Sequence, residues 1–430
     1  MSVNRQKLQD LLARVGDITS ETFAAKFHAH YEGATAGMKH TSSLTQTSVI
    51  RNWAILKENT MLDSSDQAQV ADTETLGQIE YYSHNIENCV GSVKIPMGVA
   101  GPLRINGLFA SGDFYIPLAT TEAALVASYH RGARLITEAG GCSALLHDGM
   151  VTRSPGFIFR SLTEVGQFVL WATQHFDDFC QVTMQTSRYA RLMDMRISLE
   201  GNHVYMGLDY STGDAAGQNM VTIATAAIVE WVLAHTEIQP QQTFVEANFS
   251  GDKKASALSF VTVRGKKVTA EVTIEASLIK KYLHTTPRTM ATYWSMAALG
   301  GVMSGTIGVQ GHFANGLAAL YLATGQDVAC VSESSVGITR MEVTENNALY
   351  ATVTLPNIIV GTVGGGTGLP SQSVALKMLG LSGQTQSYSL AEICACLCLA
   401  GELSIIGALC ANHFAAAHQK RARKKQQENI

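Results

Sequence analysis

The sequence predicts an α+β protein: a helical N-terminal region, a large α/β domain, and a compact α+β insert within that domain. Three observations lead there. Residues 1–85 are the most polar stretch and show helical spacing at Leu8, Leu11, Leu12 and Val15, then at Ile50, Trp53 and Leu56. Between residues 155 and 250 strand-like and helical segments alternate over roughly 100 residues, the size of one small domain. From residue 256 onward, apolar Gly-rich and Ala-rich helical segments run to the end.

In chain order, residues 86–118 read as short strands and turns, punctuated by Pro96-Met97-Gly98, Gly101-Pro102 and Asn106-Gly107. A helix opened by Glu122 follows. Leu192 to Leu199 and Val204 to Leu208 read as strands joined by Glu200-Gly201-Asn202-His203, and Ala215 to Ala234 as a helix. A hairpin is expected around Arg264-Gly265-Lys266. These signals place the N-terminal region at 1–85, the large domain at 86–154 and 254–420, and the insert at 155–245. Residues 246–253 connect the two, and 421–430 form a flexible basic tail.

Of the 430 residues 46% are apolar, and the formal net charge is -4, so nothing in the balance recommends nucleic acid or an anionic membrane as partner. A small-molecule partner fits better. The N-terminus has no apolar signal-like run, and the longest apolar stretch, 393–411, is broken by Glu402, so a cytoplasmic protein is expected. Cys394, Cys396 and Cys398 fall inside an apolar helical pattern without C-x-x-C pairs, which reads as reduced core thiols and no metal site.

Glu122 is the first candidate for chemistry, lying between Ile116-Pro117-Leu118-Ala119-Thr120-Thr121 and Ala123-Ala124-Leu125-Val126. A carboxylate in apolar surroundings is raised in pKa, which suits a proton donor near neutral pH. The competing reading is an acid in the first turn of a helix capped by Thr120 or Thr121. Gly361-Thr362-Val363-Gly364-Gly365-Gly366-Thr367-Gly368 falls between a strand-like and a helical segment, where backbone N–H groups can cradle phosphate oxygens, although it matches no nucleotide fingerprint. A tight structural turn explains it equally well. Asp252-Lys253-Lys254 offers a lysine that could stabilise an oxyanion, or else a solvated charge pair. Asp327 reads as a helix-end acid, His312 and Asn315 share a helix face, and His413 and His418 punctuate an Ala-rich helix.

Taken in order, these segments resemble one family, 3-hydroxy-3-methylglutaryl-CoA (HMG-CoA) reductase. The matching blocks are Glu87-Asn88-Cys89-Val90-Gly91, Ile95 to Leu103, Ala119-Thr120-Thr121-Glu122, Thr186-Ser187-Arg188, Gly213-Asp214-Ala215, Asp252-Lys253-Lys254, Gly325-Gln326-Asp327 and Gly361 to Thr367. The resemblance implies a ferredoxin-like insert that binds NADP(H), and a four-electron reduction of HMG-CoA by NADPH, through a mevaldehyde level, to mevalonate and CoA. It assigns catalysis to Glu122, Lys253, Asp327 and His418. Lys253 would stabilise the oxyanion, Glu122 donate to the carbonyl oxygen, Asp327 tune both, and His418 protonate the departing thiolate. Arg153 would grip the HMG carboxylate, with Asp252, Lys254, His312 and Asn315 in the same pocket and Ser128, Arg131 and Arg134 facing CoA. Ser187, Arg188, Asp214, Asn219, Gly364, Gly365 and Gly366 match cofactor positions, and Ser187-Arg188 favours NADPH over NADH.

The chain departs from animal members at His130 and His284, and it lacks a lysine anywhere from Thr285 to His312. The resemblance also implies a homodimer or homotetramer with active sites at the subunit interface. Two other readings stay open: NAD-dependent oxidation of mevalonate, and a CoA-ester binder without turnover.

Overall fold

A computed structural model of the chain describes residues 44–381 and 385–411, with isolated N-terminal positions such as Arg5 and Met38. His413, His418, the tail at 421–430 and the helical spacing at Leu8 to Val15 lie outside the described residues. The chain divides into two compact units, Met1–Val93 and Lys94–Ile430.

Among the described residues of the first unit three α-helices follow one another, α1 (Gln46–Asn59), α2 (Ser64–Val70) and α3 (Thr73–Gly77). Each opens on a side-chain cap, Thr45, Asp63 and Asp72 in turn, which satisfies N–H groups that the first turn leaves free. Val49 and Trp53 turn inward onto Ala71, Ile79 and Cys89, while Ile50 of the expected stripe is exposed.

The second unit holds two sheets. β1 (Met97–Gly107) and β2 (Ser111–Ala119) form a hairpin, so the segment expected to be several short strands is two long ones. The turn after β1 is closed by Glu392, whose carboxylate accepts from the N–H groups of Leu108, Phe109 and Ala110 at 3.2, 2.8 and 2.7 Å. Next comes α4 (Leu125–Glu138), which begins three residues later than Glu122 because Ala124 adopts a left-handed φ of 71° just before it. Then β3 (Cys142–Gly149) leads to the second sheet.

That sheet contains β4 (Val151–Arg153), β5 (Gly156–Ile158), β6 (Arg191–Glu200), β7 (His203–Ser211) and β8 (Gln242–Phe244). Helices α5 (Leu162–Gln174) and α6 (Phe176–Thr186) join β5 to β6, and α7 (Gln218–His235) joins β7 to β8. β8 pairs with β5, β5 with β7 and β7 with β6, all antiparallel, so the β-α-β-β-α-β succession runs in the order β8-β5-β7-β6. One aromatic core, Phe157, Phe159, Phe168, Phe179 and Tyr210, fills the space between sheet and helices.

The chain re-enters the first sheet through β9 (Lys266–Ile274) and continues with α8 (Ala276–Leu283), α9 (Pro287–Ser304), β10 (Gly308–Val309), α10 (Phe313–Thr324) and α11 (Val331–Ser334). It closes with β11 (Gly337–Val343), β12 (Leu349–Ile358), α12 (Pro370–Met378) and α13 (Gln386–Cys410). The seven strands lie in the order β10-β11-β12-β9-β3-β1-β2. No hairpin forms at Arg264-Gly265-Lys266: residues 257–260 are a short 3-10 turn, and β9 pairs with the distant β3 and β12.

α13 is apolar on every side and buried, as a helix at the centre of a core should be. It is long and apolar enough to cross a membrane, yet 78% of its most apolar window is covered by this fold. Small residues let it approach α4: a Cβ at Gly132 would stand 1.9 Å from the Ala400 carbonyl oxygen. Tyr129 fills the space beside Gly316 and Gly401 and donates to the His312 carbonyl at 3.0 Å. Cys394, Cys396 and Cys398 are free thiols in this core.

Candidate active site

Lys253 sits on the loop that follows β8, at a left-handed φ of 55°. Its Nζ is 2.7 Å from Asp327 Oδ2, and that bond raises the ammonium's pKa above the ordinary lysine value against the opposing effect of burial. Asp327 follows α10 and caps the turn Val328–Cys330, accepting from Ala329 N at 3.0 Å. Gln218, the first residue of α7, points its amide at Cys330 Sγ (3.0 Å) and Asp327 Oδ2 (3.5 Å).

Asp252 does not pair with its neighbour. Its two oxygens accept from Arg264 at 2.6 Å and Arg153 at 3.0 Å. Burial alone would raise its pKa, but the guanidinium groups of Arg264 and Arg153 hold it below the usual value. Arg264 is 2% exposed and also reaches Glu333 Oε2 at 2.5 Å, while Glu333 Oε1 accepts from the main-chain N–H of Lys253 at 3.2 Å. For Glu333 burial wins and its pKa is raised. The reading of Asp252-Lys253 as a solvated charge pair is therefore corrected: Asp252 turns inward to two arginines, while Lys253 stays exposed on the turn and pairs with Asp327. Lys254 is exposed as well, and is bonded through Nζ to the Asp252 carbonyl at 2.9 Å.

Arg153, at the end of β4, is 6% exposed and also meets Glu246 at 3.4 Å. Around it gather buried polar atoms without a partner among the described residues: Arg153 Nε, Ser154 Oγ, Gln218 Oε1, Glu246 Oε1 and Arg264 Nε. Such atoms are costly to bury unless something hydrogen-bonds them, so this corner is built for a polar ligand or ordered water.

The glycine loop after β12 is stitched to the same corner. Gly361 N donates to Gln326 Oε1 at 2.9 Å, and Thr362 N to the Asp214 carbonyl at 2.8 Å. A Cβ at Gly361 would stand 2.3 Å from Ala216 N, and one at Gly325 2.2 Å from the Gly366 carbonyl oxygen, so only glycine allows these approaches. At Gly364 (φ 75°) and Gly365 (φ 56°) a Cβ would meet nothing within 4 Å, which leaves the outer rim of the loop open. Thr362 Oγ1 is buried without a partner among the described residues. Asp214 Oδ1 accepts from Ser387 N at 2.8 Å, and Asn219 is exposed in the first turn of α7. Ser187 Oγ accepts from the N–H groups of Tyr189 and Ala190 at 3.1 and 3.3 Å, beside an exposed Arg188.

A second cluster surrounds a cavity of about 820 Å³ whose polar wall includes Glu122, Ser128, Arg131, His312, Asn315 and Glu402. Glu122 is exposed to this space, not buried in apolar core and not in a helical first turn, so both expectations for it are corrected. The reason is local: Thr120 Oγ1 accepts from Glu122 N at 3.0 Å and holds a bend that delays the helix. Glu122 Oε2 accepts from Asn315 Nδ2 at 2.8 Å. His312 is the residue before α10, stacked on Tyr129 with ring centroids 5.2 Å apart, and Nδ1 lies 3.4 Å from Glu402. Glu402, fully buried, accepts from Gly311 N (2.8 Å), His312 N (2.8 Å) and Thr339 Oγ1 (2.8 Å). Arg131 is anchored on Ser404, with Nη2 2.8 Å from Oγ, whereas Arg134 lies over the Tyr282 ring at the surface.

Lys253 and Asp327 are thus brought together, and Glu122 and Asn315 are brought together, but the pairs do not meet among the described contacts. The 12-residue helix α10 stands between them, roughly 18 Å long at the usual rise. Arg264, Glu333, Glu246 and Gln218 were not singled out from the sequence. An arginine and a glutamate 69 residues apart carry no local signal, and only the fold brings the segment before β9 beside α11.

The family model for hydroxymethylglutaryl-coenzyme A reductase matches residues 48–423. A 3-hydroxy-3-methylglutaryl-coenzyme A reductase of Methanocaldococcus jannaschii is 42% identical over 344 residues, 79% of this chain and 85% of its own length. One of Aeropyrum pernix is 43% identical over 347 residues, 79% of this chain and 82% of its own length. Among solved structures, the class II enzyme from Streptococcus pneumoniae bound to NADPH aligns with a TM-score of 0.64 at 19% identity, over 84% of this chain and 96% of that one, which shows the shared fold.

Proposed function

Because the chain belongs to the hydroxymethylglutaryl-coenzyme A reductase family, we propose that it reduces HMG-CoA with NADPH to mevalonate and free CoA, a step of the mevalonate (isoprenoid) pathway. The observation that carries this is the Lys253–Asp327 ion pair at 2.7 Å, set where the glycine loop, α7 and the buried Arg153 converge. NADPH supplies hydride in each of two steps, and two protons complete the balance. An ammonium held in place stabilises the oxyanion as the thioester carbonyl is reduced, and again at the aldehyde.

The residues present fit that cofactor. Thr362 Oγ1 and Gln218 Oε1 are buried polar atoms without a partner among the described residues, and Gly364 and Gly365 leave room against the main chain. Arg188 and Ser187 supply charge and a hydroxyl for a 2'-phosphate, which favours NADPH over NADH. Asp214, just before α7, and Asn219, in its first turn, are the remaining candidate cofactor contacts. Arg153 Nε is free to take the HMG carboxylate, with Asp252 and Lys254 beside it. In the second cluster Ser128 and Arg131 would receive the CoA arm, and His312 and Asn315 would line the substrate pocket beside Glu122. Glu122 donates the proton to the carbonyl oxygen, and His418 protonates the CoA thiolate.

We infer further that the working unit is a homodimer or homotetramer in which Glu122 of one subunit completes the Lys253–Asp327 pair of another. The separation of the two clusters by α10 supports this. Purified protein mixed with HMG-CoA and NADPH should consume the nucleotide and yield mevalonate identifiable by mass. Nucleotide oxidation without mevalonate, or no oxidation from pH 6 to 8, would refute the assignment.

A further inference from the structure

Lys253 holds a left-handed backbone conformation that a non-glycine residue adopts only when its surroundings impose it. Two tethers impose it here. One is the side chain of Asp252, the preceding residue, and the other is the main-chain N–H of Lys253 on Glu333 Oε1 at 3.2 Å. Both end on Arg264, whose Nη2 bonds Asp252 Oδ1 at 2.6 Å and whose Nη1 bonds Glu333 Oε2 at 2.5 Å.

Arg264 is itself fixed to the large sheet. Its N–H donates to Asn357 Oδ1 at 2.9 Å, and Asn357 Nδ2 donates to Ser259 Oγ at 2.7 Å. The next residue, Gly265, lies so close to β12 that a Cβ would stand 2.7 Å from the Ile358 carbonyl oxygen. Glu333 comes from α11, the short helix reached from Asp327 through the turn Val328–Cys330. Arg264 therefore couples the loop bearing Lys253 to the segment bearing Asp327.

We propose that Arg264 and Glu333 are positioning residues for the reaction: a buried guanidinium fork that holds Lys253 Nζ against Asp327 by gripping the Asp252 side chain directly and the main-chain N–H of Lys253 through Glu333. Neither touches the reacting atoms. A planar fork spans two carboxylates in fixed directions, which a lysine ammonium at the end of a flexible stem does not do. Arg264→Lys keeps the charge and loses the fork. Glu333→Gln keeps an oxygen for Lys253 N but sets an NH2 donor against Arg264 Nη1 where the second carboxylate oxygen stood. This inference rests on the assignment of Lys253 to the oxyanion, so its test needs a measurement independent of turnover.

In the full-length protein, Lys253 is labelled with trinitrobenzenesulfonate and read by peptide mass spectrometry relative to the exposed Lys377. A pair loosened from Asp327 exposes more free amine, so the Lys253/Lys377 ratio should rise about fivefold or more in Arg264→Lys. In the same variant kcat should fall about tenfold or more, with the KM for NADPH within about twofold of the parent. A merely structural role lowers the melting temperature but leaves the labelling ratio and the kcat of the folded enzyme unchanged, and that result overturns the proposal. Should Arg264→Lys not fold, Glu333→Gln is read by the same two measurements against the same limits. If the parent protein does not reduce HMG-CoA, the functional assignment fails, and the labelling ratio still decides whether the fork positions Lys253.

Discussion

Asp327 holds Lys253 by a 2.7 Å ion pair, while Glu122 is bonded to Asn315 at the other end of α10. Two of the acids assigned to one reaction thus stand on opposite sides of a helix within one chain. The proposed subunit pairing would reunite them, and it is directly testable.

Glu122→Gln and Lys253→Ala should each abolish reduction. Coexpressed, they should recover about a quarter of parental activity, because half of randomly paired dimers are mixed and each mixed dimer holds one intact site. Activity is compared at equal total protein after confirming that subunits mix. No recovery in mixed dimers would place Glu122 and Lys253 of the same chain in one site.

Removing Asp327's charge should change how the lysine titrates. The Asp327 bond raises the Lys253 ammonium above the usual value near 10.4. Asp327→Asn lets the proton leave at lower pH, so any activity that remains should lose its alkaline limb at lower pH than the parent. The linked stability has the same sign. It is fully present below the unfolded-state value and is lost as pH rises through the higher folded value. Thermal melts between pH 6 and 9 should therefore show a contribution from this pair that does not change with pH, and a parent–variant gap that varies across that range would count against it.

Nucleotide choice should depend on Arg188. Arg188→Ala is expected to lower kcat/KM for NADPH about tenfold or more while leaving the NADH value within about twofold. Equal losses with both nucleotides would show that the exposed guanidinium does not read the 2'-phosphate.

The buried Glu402 supports the wall of the large cavity. Glu402→Ala leaves the N–H groups of Gly311 and His312 and the Thr339 hydroxyl without their acceptor, at about 1–3 kcal/mol each. Urea unfolding should show a loss of ~3 kcal/mol or more for Ala, and a clearly smaller one for Gln, which retains an acceptor oxygen. Equal losses for the two would mean that packing, rather than the acceptor, is what Glu402 contributes.

Much of this was legible in the sequence where the signal is local. The strands around Glu200-Gly201-Asn202-His203, the helix through Ala215 to Ala234 and the glycine loop after a strand follow from turn residues and periodicity over a few positions. The ordered family motifs supplied Glu122, Lys253 and Asp327. What stayed hidden depends on contacts between distant segments. Arg264 looked like a turn residue because Arg-Gly-Lys is a common turn pattern, yet it anchors two carboxylates in the interior. Glu402 looked like an interruption of an apolar run, and only the arrival of the 311–312 main chain, 90 residues earlier, explains it. Glu122 misled in the other direction: its apolar neighbours line an open cavity instead of closing over it.

The central claim is a four-electron reduction by one protein, and its most direct test is the ratio of NADPH oxidised to CoA thiol released, with HMG-CoA limiting and the reaction run to completion. A reductase of this family gives about two NADPH per thiol. A ratio near one, with an aldehyde as the end product, or thiol release without any NADPH oxidation, would contradict the account.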